Sequence, residues 1–512
     1  MSGAGDGAGP GAGAGAGAGG VGAGARAGGA KPAGNTAVWC EAGWYGGRIR
    51  RGIRLTVDSA GTVTAATPGA APEPGDLVLA GVVFPAAANA HSHAFHRVLR
   101  GRTHTAGDFW GWREQMYAAA GSLTPELYEQ LATAVFAEMV VSGYTSVAEF
   151  HYVHHAPDGS PYPEHRMETA LARAAVAAGI RLTLLDACYL AGGFGAGSSG
   201  IGGSGSAGSG TKGSGTSRSG VPLEPRQQRF GDADADAWLD RFASLQAAVA
   251  ASFDPEQVSL GAALHSVRAV PEAALARIAE RLPAGIPLHI HLSEQPQENT
   301  DCLAATGLTP AGLLHRHGLL SRRLSAVHAT HLTDADLALL GEAGATAVFC
   351  PTTEADLADG LGRAAGLRNA GVALALGSDQ HAVVDPWQEM RALEYGERLR
   401  TGKRGTFTPA ELHFAASDAG AAAQGRTAPG LEPGKTCDLM AVNPHSVRTA
   451  GSDPGQLALT ATAADVTAVV VGGRLRAENG RHATLGDPAV LLRAALAAVD
   501  SAPPIPEGTR RR

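Results

Sequence analysis

Eight short runs, each almost continuously apolar and most separated from the next by a helix-like stretch, constrain this chain's fold more than any other feature. They lie at 82–93, 145–152, 181–189, 257–266, 287–293, 325–330, 346–351 and 372–379. A strand with one face in water alternates apolar and polar residues, whereas a run that stays apolar is buried on both faces. Thr124 followed by Pro125 reads as an N-cap and first-turn proline, opening a helix to about Val141. Other helical patterns fall at 271–282, 309–317 and 334–343. Eight buried strands alternating with helices predict an α/β fold, a closed parallel (β/α)8 TIM-like barrel rather than an open sheet.

The flanks have another texture. Residues 36–80 and 428–490 carry short β-like runs punctuated by glycine, among them Ile53–Val57, Leu439–Val442 and Thr467–Val471. They predict a small β-domain assembled from both chain ends, with the barrel occupying 81–427. Residues 1–35 are almost entirely Gly and Ala, and 192–220 is rich in Gly and Ser. These compositions cannot build a packed core and read as a disordered tail and a flexible loop insertion, neither carrying chemistry. Residues 491–512 read as a C-terminal helix and tail.

Composition narrows the function. A formal charge of −7 with no basic block argues against a nucleic-acid or membrane-surface binder. No apolar stretch reaches the roughly 20 residues that span a bilayer. Five cysteines, an odd number with no CxxC spacing, together with an N-terminus lacking the charged-then-apolar order of a signal peptide, predict a cytoplasmic protein.

The first apolar run closes on His91-Ser92-His93. Side chains alternate faces along a strand, so the two imidazoles share one face and form half of a metal site. In a parallel barrel the reactive groups sit at the C-terminal strand ends. Those ends carry His151 and Tyr152, His265, His289, His291 and Glu294, His328 and His331, then Asp379 and His381. Three imidazoles and one carboxylate from strands one, five and eight would hold one divalent ion, Zn²⁺ first and Fe²⁺ second, with a position open to water. Dinuclear sites of this kind commonly bridge their metals with a carbamylated lysine. The four lysines (Lys31, Lys212, Lys403, Lys435) all lie outside the predicted strands, so the expected site is mononuclear. Glu294, three residues beyond His291, is placed to take a proton from the attacking water and pass it to a leaving nitrogen. Asp379 ends a buried pattern, and its charge needs a partner.

The order HSH, HLSE, VHATH and LGSD on this strand pattern resembles the mononuclear deaminase branch of the amidohydrolase superfamily, over about residues 36–490. Several segments resemble formimidoylglutamate deiminases more closely: HSHAFHRVLRG (91–101), FWGWREQMY (109–117), AEFHYVHH (148–155), HSVRAV (265–270), HLSEQ (291–295) and CPTTEADLADG (350–360). The resemblance implies metal ligation by His91, His93, His291 and Asp379. It makes Glu294 the proton shuttle, with His328 orienting the water and the tetrahedral intermediate. It places His96, Arg113, Tyr152, His265 and Arg268 around the substrate. Two positions depart from the family pattern: His96 stands where glutamine is expected, and Asp356 where asparagine is usual.

The implied substrate is a small dicarboxylate, which two arginine forks could hold. A homodimer is common for this fold. Two other readings stay open: a deaminase of the same fold acting on guanine, adenosine-type nucleosides or a guanidino acid, and a non-catalytic metal-binding barrel.

Overall fold

The computed structural model describes residues 36–104, 109–194 and 220–502. The predicted tail at 1–35, all but the borders of the predicted insertion at 192–220, and residues 503–512 lie outside the described residues. Two eight-stranded sheets account for all sixteen described strands. One is parallel in strict sequence order: β5 (Ala87–Ser92), β6 (Tyr144–His151), β7 (Arg181–Cys188), β8 (Val258–Leu264), β9 (Leu288–Leu292), β10 (Leu324–His328), β11 (Thr346–Phe349) and β12 (Ala373–Leu376). With helices between most successive strands, this is the expected (β/α)8 barrel. The helix predicted after Thr124 spans Pro125–Ser142, and the Thr124 side chain accepts the Leu127 N–H.

The second sheet joins β1 (Thr36–Tyr45), β2 (Arg48–Val57), β3 (Val63–Thr67) and β4 (Leu77–Pro85) to β13 (Leu439–Val442), β14 (Val466–Val471), β15 (Arg474–Glu478) and β16 (Arg481–His482). The two chain ends meet where β4 pairs antiparallel with β13, Val82 opposite Val442 and Pro85 opposite Leu439. The run read as one strand at 82–93 is therefore two strands in two sheets. Pro85 offers no N–H to continue a ladder. Ala86 then donates to Asp438 O of the second sheet, and Ala87 donates to Gly143 O on the barrel side.

The barrel closes between its first and last strands, at the level of the site. Ser378 and Asp379 donate their N–H groups to His91 O, and His93 N–H returns to Asp379 O. A Cβ on Gly377 would lie 2.8 Å from both the His91 Cβ and the His91 carbonyl oxygen, so only glycine permits this approach. The eighth strand ends at Leu376, three residues earlier than the pattern predicts. The chain turns there to meet the first strand, and Asp379 adopts φ 42°.

Candidate active site

His91, His93 and His291 converge at the C-terminal end of the barrel. The Nε2 atom of His291 lies 3.2 Å from that of His91 and 3.3 Å from that of His93. Asp379 Oδ1 is 3.4 Å from His91 Nε2 and 3.5 Å from His93 Nε2. The strand pairing between β5 and β6 slips by one residue between Asn89 and Ser92. Such bulges re-aim side chains beside active sites.

These four side chains fit a metal ion on chemical grounds. His93 donates Nδ1–H to Phe150 O and His291 donates Nδ1–H to His265 O, both at 2.8 Å. Each imidazole therefore turns an Nε2 lone pair inward, the arrangement that ligating histidines take from a carbonyl acceptor. Burial, reinforced by neighbouring imidazoles, holds all three histidines well below the usual imidazole pKa, so they are neutral donors. Neutral lone pairs facing one another and a carboxylate call for a shared cation.

His328 and Glu294 complete the mouth. His328 Nε2 lies 3.8 Å from Glu294 Oε1 and 3.9 Å from Asp379 Oδ2, while its Nδ1 faces Glu354 Oε1 at 3.4 Å. Burial opposes a charge on His328, but the carboxylates of Glu294, Glu354 and Asp379 outweigh it and push its pKa up to about 10. Burial, and next the Asp379 carboxylate, raise Glu294 above the ordinary carboxyl range, as suits a group that both takes and returns a proton.

All five expected substrate contacts line one pocket: His96, Arg113, Tyr152, His265 and Arg268 surround a space whose floor is His93, His291, Glu294, His328 and Asp379. His96 Nε2 lies 2.9 Å from Tyr152 Oη, and its buried Nδ1 has no partner among the described residues. Burial pulls the His96 pKa down to about 3, so it is neutral. Glu114, adjacent to Arg113, pairs with Arg226.

Other strand-end groups go elsewhere. His151 follows the alternation to the outer face, against the Tyr128 ring and 3.4 Å from Glu168. His289 donates Nε2–H to Ala423 O and His331 to Asp359 O. Asp356 accepts a 2.8 Å hydrogen bond from Gln380 Nε2 and does not line the pocket.

Sequence reading named His381 only as a strand-end group and missed Ser92, Glu149 and Asn89, which with it hold this cluster in place. Ser92 Oγ donates to Glu149 Oε2 at 2.6 Å, and His381 Nε2 lies 2.9 Å from the same hydroxyl. The other Glu149 oxygen accepts the Ala94 N–H. Burial raises the Glu149 pKa to about 8. Asn89 donates to Ser378 Oγ and accepts from Ser378 N, stapling the seam beside Asp379. Polar residues inside apolar runs were the available signal, since a buried polar group must find a partner.

A closed barrel whose mouth sets the Glu294 carboxylate beside three neutral imidazoles and Asp379 has the donor set of a metal-binding hydrolase. The amidohydrolase family model matches residues 82–476, and the chain belongs to that family, whose members bind a divalent metal; it is a hydrolase acting on C–N bonds. A formimidoylglutamate deiminase of Pseudomonas aeruginosa is 34% identical over 449 residues, covering 85% of this chain and 92% of that protein. An 8-oxoguanine deaminase of the same organism is 29% identical over 78% of this chain and 83% of its own length. Among solved structures, an amidohydrolase from Brucella melitensis superposes with a TM-score of 0.79 at 29% identity, covering 91% of this chain and all of that one. A zinc-bound adenosine deaminase from Xanthomonas campestris shares the fold, with a TM-score of 0.73 at 23% identity, 91% of this chain and 98% of that one.

Proposed function

We propose that the chain hydrolyses N-formimidoyl-L-glutamate to N-formyl-L-glutamate and ammonia, a step of histidine degradation. The observation that carries this reading is that Arg113 and Arg268 open on the same pocket as Glu294 and the imidazole cluster. Two guanidinium forks suit the two carboxylates of this substrate. A purine would instead call for stacking and amide contacts. The 34% identical relative carries the same activity in its name.

His91, His93, His291 and Asp379 would hold one ion, Zn²⁺ before Fe²⁺, since three imidazoles and a carboxylate suit both. When bound, such an ion supplies Lewis-acid activation, lowering the pKa of water from about 15.7 toward 7. Glu294 takes one proton as water adds to the formimino carbon and returns it to the nitrogen; the proton left on the new hydroxyl passes to the same nitrogen as the C–N bond breaks and the carbonyl forms, so that ammonia leaves. Asp379 and His328 hydrogen-bond the tetrahedral carbon's substituents, and His328 is held for this by Glu354. Arg113 and Arg268 bind the carboxylates, with Tyr152, His265 and His96 setting the orientation.

Ammonia release from N-formimidoyl-L-glutamate by metal-loaded enzyme, with guanine and adenosine alongside, tests the reading. Turnover of the first alone is expected. Activity on a nucleobase with none on the amidine would keep the fold and the metal but overturn the substrate.

A further inference from the structure

We propose that Tyr117 and Tyr189, oriented by Gln227, complete with Arg113 the subsite that grips one carboxylate of the substrate. The inference rests on the dicarboxylate reading above and gives roles to Tyr117, which closes the FWGWREQMY segment with no role assigned to it, and to Tyr189 and Gln227, which lie in none of the quoted segments.

Arg113 and Tyr117 lie one helical turn apart on Phe109–Ser122, so their side chains share a face. Tyr189 follows the end of β7, and both phenols line the pocket. Gln227 sits in the short helical turn Pro225–Phe230 behind them. Its Oε1 accepts the Glu224 N–H at 2.9 Å, which fixes which way the amide faces. Its Nε2 then donates to Tyr117 Oη at 3.0 Å and to Tyr189 Oη at 3.1 Å, one amide hydrogen for each.

Both phenolic oxygens are thus acceptors toward the protein. Arg113, a donor only, adds a second demand on them. Burial works against its charge, while its electrostatic and hydrogen-bonding contacts with Tyr117 and Tyr189 raise its pKa. Burial keeps the Tyr117 phenol protonated, pushing its pKa up. With their oxygens receiving hydrogen bonds, the phenols have their own protons left to give. The corner of the pocket therefore combines a guanidinium with two hydroxyl donors. A carboxylate, which only accepts, satisfies all three. An ammonium would leave donors facing donors, and an aminopurine edge, which mixes amino donors with ring-nitrogen acceptors, would satisfy the three only in part.

The test is binding of glutarate, which has two carboxylates and no reactive amidine, measured by calorimetry on metal-loaded protein. Tyr117→Phe and Tyr189→Phe keep the rings, and unchanged metal content and Tm establish that each variant is folded. Each is expected to weaken glutarate binding about tenfold or more, the usual worth of a hydrogen bond to a charged group. In an Arg113→Met background the same substitutions are expected to change Kd less than twofold, while in an Arg268→Met background they keep their effect. For turnover, KM should rise with kcat little changed, as for an interaction made equally in ground and transition states. Wild-type binding of glutarate with both phenylalanine variants unaltered would overturn this proposal alone. So would an effect that persists without Arg113. No binding of glutarate by the wild type would overturn the dicarboxylate reading itself.

Discussion

The sheet built from the two chain ends and the rim of the barrel treat buried space in opposite ways. The sheet packs Val38, Ile53, Leu55, Val57, Val63, Leu79, Val83, Leu439 and Val470 into one apolar cluster. Where it needs a left-handed backbone, as at Gly46, Gly47, Gly61, Gly472 and Gly473, it mostly uses glycine, with Asn479 in the β15–β16 turn the exception. The rim buries imidazoles and carboxylates, and takes positive φ at Ser293, His328, Ala329, Asp379 and His381, none of them glycine. Such residues cost about 1–3 kcal/mol each and persist only where the surroundings over-determine them. Glycine would relieve the backbone at His328 and Asp379 but remove the side chains on which the proposed chemistry depends. Stability is thus built in one region and strain accepted in the other.

Three substitutions would sharpen or break that contrast. The largest effect is expected for Glu294→Gln, which keeps the shape and removes the proposed proton carrier. It should lower kcat by about 10²–10⁴-fold with Tm and bound metal unchanged. Loss of metal in that variant would make Glu294 a structural group and erase the contrast at its centre. Leu55→Ala probes the other region. It should lower unfolding stability by about 2–5 kcal/mol in denaturant titrations while kcat/KM of the folded protein holds. A fall in kcat/KM would show that the sheet does more than support the barrel. Ser92→Ala comes last. Removing the hydroxyl between Glu149 and His381 should weaken metal binding about 10–100-fold in chelator competition, as for other groups that orient ligands. Unchanged metal affinity would mean the backbone seam alone fixes His91 and His93.

Much of the barrel is legible in the chain because periodicity is a local property. The sides taken by His91, His93 and His291 follow from strand alternation, and the Pro125 helix from its cap. Reading fails where a local pattern has two tertiary uses. The run 82–93 looks like one strand because Pro85 and Ala86 are as apolar as their neighbours. Only the partners on either side, Asp438 and Gly143, show the change of sheet. His151 and Tyr152 are adjacent and alternate faces, so only Tyr152 enters the pocket. Tyr117, Tyr189 and Gln227 come from three separate segments, and nothing local marks them as one cluster.

The sequence alone determined the α/β alternation, the chemical types available at the strand ends and the absence of lysine from the barrel strands, because each is a property of consecutive residues. The tertiary structure decided which of those groups face one another. It closed the barrel by bringing Gly377 against His91, turned the Nε2 lone pairs of His93 and His291 inward through carbonyls on other strands, and set Arg113 beside two phenols. Apart from the single helical turn between Arg113 and Tyr117, those relations depend on contacts between residues tens to hundreds of positions apart, and no local pattern encodes such distances.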